Sequence, residues 1–109
     1  MLDLAVVFKL IIVHWIADFW LQTDKMAMNK SSSNKWLLTH VAVYTIPFLY
    51  FGWLFAFING ATHFVVDYFT SRINKRLWDD KKVHYFFVGV GFDQAIHMLI
   101  LMYTASILL

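Results

Sequence analysis

Long apolar stretches dominate the chain, and the polar residues inside them recur at helical spacing. Four segments approach the roughly 20 residues that a helix rising 1.5 Å per residue needs to cross about 30 Å of hydrocarbon. The first runs from about Leu2 to Gln22 and contains Lys9, His14 and Asp18. The polar stretch Thr23 to Lys35 follows, weakly structured, and its Ser31-Ser32-Ser33-Asn34 run supplies an N-cap for the next helix. From Trp36 to Val66 there is no Asp, Glu, Lys or Arg, yet a single helix of that length would measure about 45 Å and must fold back once. Gly52 is the expected turn, since Pro47 weakens the helix five residues earlier and glycine adopts backbone angles closed to other residues. The pattern predicts helices at about 2–22, 36–51, 53–75 and 84–108, alternating in direction, as a single transmembrane domain over 1–109.

An internal repeat refines this picture. His14-Trp-Ile-Ala-Asp18-Phe-Trp in the first helix matches His63-Phe-Val-Val-Asp67-Tyr-Phe in the third, and each precedes a polar connection and a helix carrying another His. The predicted fold is all-α, a polytopic membrane four-helix bundle built from two repeated helical hairpins that each supply half of a central site.

Composition agrees with a membrane chain: 61% of the 109 residues are hydrophobic and 15% charged, against about 45–50% and 25% in soluble domains. A soluble core of this length cannot hide so much apolar surface. The absence of cysteine excludes disulfides, thiol nucleophiles and thiolate metal sites, so any metal must use nitrogen and oxygen ligands. A formal charge of +2 gathered in two connections argues against a nucleic-acid partner. Lys25, Lys30 and Lys35 lie in the first connection and Arg72, Lys75, Arg76, Lys81 and Lys82 in the third, whereas the Gly52 turn has no cation. By the positive-inside rule both termini then lie on the side opposite the cytoplasm. No cleavable signal is legible before His14, so the first segment is read as mature structure. A bundle exposing four spans to the bilayer leaves room for a homodimer.

Within these apolar helices lie seven ionisable residues: His14, Asp18, His40, His63, Asp67, Asp93 and His97. Ionisable groups at membrane depth are costly and mark function by default. His14 and Asp18, His63 and Asp67, and Asp93 and His97 are i,i+4 pairs, each on one helix face. His40 is the fourth helix's contribution, with Tyr44 one turn on. Gln22, Asn59, Ser71 and Gln94 extend the same stripes as groups that orient ligands. Four imidazoles and three carboxylates suit zinc first, with manganese, iron or nickel as alternatives, better than magnesium or calcium. Any one pair alone is more readily a strut between helices than a metal ligand set. Three pairs plus His40, repeated across two halves, favour one or two divalent ions with an open position for water. Trp15, Trp20, Trp36, Trp53 and Trp78 read as interfacial anchors, Gly89 and Gly91 as a close-packing step, and His84 as solvated. Lys30 and Lys35 suit phosphate head groups, though ordinary positive-inside loops look the same.

The pattern His14-x-x-x-Asp18-Phe-x-Leu-Gln22, Leu38-x-His40, Asn59-Gly60-x-x-His63-Phe-x-x-Asp67 and Gly91-x-Asp93-Gln94-x-x-His97 resembles a family of small bacterial and phage integral membrane proteins carrying a domain of unknown function. That resemblance implies a four-helix membrane fold and no particular activity. A more distant likeness, through the repeated His-x-x-x-Asp element, is to membrane-bound metal-dependent hydrolases and zinc-dependent phospholipase C, in which such pairs bind metal. The expected function is therefore a metal-dependent hydrolase of a phosphoester or ester in a lipid-like substrate, with Asp93 as a ligand or as the general base for a water. The alternatives are a metal-ion or proton transporter, a b-type haem protein, and a non-enzymatic membrane interaction protein.

Overall fold

The Asp3 carboxylate accepts a hydrogen bond from the Ala5 amide and starts the first helix of the computed structural model, which describes residues 2–109. Helix α1 spans Leu4–Trp15 and passes into a π-helical turn at Ile16–Trp20, closed by the Leu21 amide donating to the Ile16 carbonyl at 2.8 Å. The connection expected to be weakly structured contains a short helix α2, Asp24–Asn29, capped by Thr23 Oγ1 accepting from the Met26 amide. Helix α3 spans Asn34–Phe48 and is capped by Ser33 Oγ, which accepts from the Trp36 amide. Pro47 removes one amide donor near its end, a 3-10 turn follows at Leu49–Phe51, and Gly52 reverses the chain at φ 134°. Helix α4, Trp53–Asp79, outruns its expected end at 75, and a tight turn leads into α5, Val83–Leu108. Among the described residues there is no strand.

The inward stripes of the long helices divide the interior into two halves. Leu10, Phe48, Phe55, Ala56, Leu101 and Ala105 form an apolar half that is essentially inaccessible to solvent. Along every stripe the composition then turns polar toward the end holding α2 and the α4–α5 turn: His14 and Asp18 on the first, His40 on α3, His63 and Asp67 on α4, Asp93 and His97 on α5. Outward positions are the reverse, with Phe8, Ile12, Leu38, Phe57, Phe92 and Leu99 all more than half exposed. Such an arrangement, charge within and large apolar side chains without, inverts that of a soluble domain.

Taken singly, one helix, α5, is long and apolar enough to cross a membrane. The α-helical parts of α1 and α3 have 12 and 15 residues, and α4 carries Asn59, His63 and Asp67 in its interior.

Close helix contacts depend on two glycines. A Cβ at Gly60 would collide with Thr45 on α3, and one at Gly89 with the Asn74 side chain on α4, whereas Gly91 faces open space. Thr45 cannot swing aside freely, because its hydroxyl donates to the Val41 carbonyl at 2.8 Å. Gly60→Val is therefore expected to force α3 and α4 apart and cost about 1–3 kcal/mol. Thermal unfolding in detergent measures this, with Gly91→Ala as the tolerated control.

Candidate metal centre

Four ligand atoms from three elements converge at the centre of the polar half. His40 Nε2 lies 3.2 Å from His63 Nε2, 3.0 Å from Asp18 Oδ1 and 3.4 Å from Asp67 Oδ2. His63 Nε2 lies 3.5 Å and 3.3 Å from the same two oxygens. Ligands held about 2.0–2.1 Å from a tetrahedral zinc ion are separated from one another by about 3.3 Å. These five separations therefore match five of the six edges of such a tetrahedron. Asp18 Oδ1 is buried and accepts no hydrogen bond, despite its two imidazole neighbours. Buried polar atoms are rarely left without a partner, and a cation between these four atoms supplies one.

A second group, Asp18, Asp93 and His97, stands beside the first. His97 Nε2 is 3.1 Å from Asp93 Oδ1 and 3.4 Å from Asp67 Oδ1. Thr70 Oγ1 donates to Asp93 Oδ1 at 2.5 Å. Gln94 Nε2 donates to Asp18 Oδ2 at 2.9 Å and to Asp93 Oδ2 at 3.2 Å, joining the two carboxylates.

The expected ligand His14 belongs to neither group. Its Nε2 donates to Gln94 Oε1 at 2.7 Å and its Nδ1 accepts from the Tyr44 hydroxyl at 3.0 Å, so both ring nitrogens are engaged. Across the π-turn His14 Nε2 still lies 3.7 Å from Asp18 Oδ2, against 3.3 Å and 3.1 Å in the other two pairs, and its ring orients Gln94. Asn59 has its partners elsewhere: its amide donates to Thr104 Oγ1 and the Phe55 carbonyl, tying α4 to α5. Gln22 and Ser71 line the adjoining cavity, each with a buried oxygen that has no protein partner.

Residues that the stripe reasoning passed over complete the surroundings. Thr70 lies three positions after Asp67 and so shares its helix face. Lys30, from the first connection, donates to Asp67 Oδ2 at 3.1 Å, a contact that depends on how α2 folds back. His40 and His63 lack the Nδ1 partner that usually orients a metal-binding imidazole. Stacking holds His63 instead, with Tyr44 at 3.9 Å and His97 at 4.0 Å between ring centroids.

A cavity of about 730 Å³ opens onto this centre from the basic end. Asp18, Asp67, Asp93 and Gln94 reach its inner side, Lys30 and Lys75 contribute cations, and Phe19, Met28, Trp78, Phe86 and Phe87 supply apolar wall. Its size lies in the range of small-molecule sites.

The fold and the site together define an all-helical protein with a buried His/Asp centre compatible with a metal ion. The chain belongs to the family described as protein of unknown function (DUF3307), whose family model matches residues 6–109. No match was found among curated proteins or among solved structures. The likeness to metal-dependent hydrolases thus rests on the His/Asp pattern alone.

Proposed function

We propose that this protein crosses the bacterial cytoplasmic membrane four times, with both termini outside, and uses a divalent transition metal to hydrolyse a phosphoester or ester in a lipid-like amphiphile. The membrane reading is supported by the inverted distribution of polar and apolar residues and by a long dimension of 42 Å, close to the roughly 40–45 Å of a bilayer with its head-group regions. Inward polar faces explain why α4 is insufficiently apolar when considered singly.

The opening of an amphipathic cavity directly onto the Asp18, Asp67 and Asp93 carboxylates carries the hydrolase reading. Its aromatic wall accommodates an acyl or alkyl chain, while Lys30 and Lys75 attract an anionic head group. Asp18, His40, His63 and Asp67 would hold an ion, and by taking a fifth ligand on the cavity side that ion would activate water and polarise the ester oxygen. In the reaction the water oxygen bonds to phosphorus or the acyl carbon and the ester bond breaks. The electron pair stays on the departing oxygen, and a proton from water reaches that oxygen by way of the carboxylates on the inner side of the cavity. Transport is less well supported, because Leu10, Phe48, Phe55 and Leu101 fill the opposite half of the bundle with apolar side chains.

Purified protein is expected to cleave a lysophospholipid or a chromogenic phosphodiester in mixed micelles, to lose that turnover to a chelator and to regain it with zinc or manganese. Metal-loaded protein that cleaves neither probe but dissipates an ion gradient in liposomes would replace the enzyme with a transporter. Lys30→Met should strengthen metal retention, since its ammonium contacts an oxygen of the ion site. The same variant should raise KM for an anionic amphiphile about tenfold, the loss of one charge-assisted contact. Titration with metal and steady-state kinetics test these two effects separately.

A further inference from the structure

We infer that the centre is built for two ions, bridged by the carboxylates of Asp18 and Asp67, with Asp93 and His97 completing the second position. This rests on the metal reading above and goes beyond it in the number of ions and in the role assigned to Asp93.

The two carboxylates divide their oxygens in the same way. Asp18 Oδ1 faces His40 and His63, while its Oδ2 accepts from Gln94 Nε2, which also donates to Asp93 Oδ2, and Asp18 groups with Asp93 and His97 as well. Asp67 Oδ2 faces His40 and His63, while its Oδ1 is 3.4 Å from His97 Nε2. A single tetrahedral ion needs one oxygen from each; of the other two, Asp67 Oδ1 is directed at His97 Nε2, and Asp18 Oδ2 accepts from the Gln94 amide, which must turn aside for a second ion to bind there. In carboxylate-bridged helical metal proteins, ligands from facing helices meet in this manner around a pair of ions.

The surroundings of the second position favour ligation by Asp93 over service as a free base. Thr70 and Gln94 both donate to the Asp93 carboxylate, fixing it, and Gln94 is itself held by His14. Outer hydrogen bonds of this kind orient metal ligands. Asp18, Asp67 and Asp93 carry three formal negative charges and Lys30 one positive charge, so one divalent ion neutralises the site and a second leaves it cationic toward the cavity, where it would attract an anionic ester.

The test uses full-length protein purified in detergent without a metal-affinity tag, stripped with chelator, reloaded with manganese and washed. Elemental analysis should find two ions per wild-type chain, and electron paramagnetic resonance should give the signal of an exchange-coupled pair, since ions bridged in this way lie about 3.5–4 Å apart. His97→Ala should hold one ion and show an isolated manganese spectrum. Asp93→Asn, which keeps the shape and the hydrogen bond from Thr70, should do the same even if His97→Ala fails to fold. One ion in the wild type with no coupled signal, or two ions in Asp93→Asn, would overturn the paired centre and leave a single-ion hydrolase standing. No ion in any preparation would overturn both.

Discussion

Asp67→Ala is expected to be the most damaging single substitution in the chain. The Asp67 side chain is buried, with one oxygen near His97 and the other within 3.1–3.4 Å of Lys30, His40 and His63. Removing it leaves an ammonium and three imidazoles without their shared acceptor, and breaking a buried ion pair in this way costs about 3–5 kcal/mol. Thermal unfolding of metal-stripped protein in detergent measures that loss. Added zinc should then stabilise the wild type, by about 2.7 kcal/mol at a hundredfold excess over Kd, and leave Asp67→Ala unchanged. Polar struts without a ligand would give the first effect and not the second.

Leu99→Arg is expected to lower the share of protein inserted in the membrane by disfavouring insertion of α5. Leu99 lies within α5, the most apolar long helix, and is 69% exposed. Arginine at the centre of a spanning helix costs about 2.5–3.5 kcal/mol of insertion free energy. Tyr85→Arg, near the basic end of the same helix, should be tolerated because the guanidinium reaches the interface. The readout is the share of protein that stays with membranes after an alkaline wash. A soluble bundle would gain solubility from Leu99→Arg and lose nothing.

Much of this architecture is legible in the residue pattern because local chemistry dictates it. Ser33 caps α3, Gly52 reverses the chain after Pro47, and i,i+4 spacing puts His63 with Asp67 and Asp93 with His97 on inward faces. Thr23 was also readable as the cap of α2, although the polar stretch around it suggested little structure. The π-turn at Ile16–Trp20 is not readable, because its residues are ordinary helix formers. His14 and Asp18 still approach to 3.7 Å across it, while Tyr44 and Gln94 take the hydrogen bonds of the His14 ring. Asn59 misled for a related reason: its place on the His63 stripe was correct, but which neighbour it met depended on Thr104, forty-five residues away. Lys30 reaches Asp67 only through the path of α2, which no periodicity describes.

Elemental mass spectrometry of untagged wild-type protein beside the His63→Ala, Asp67→Ala double variant tests the central claim most directly. The wild type should carry stoichiometric transition metal, and the folded variant should carry none. Wild-type protein that stays metal-free after incubation with zinc, manganese, iron or nickel would contradict the claim and reduce the buried Asp and His residues to struts between helices.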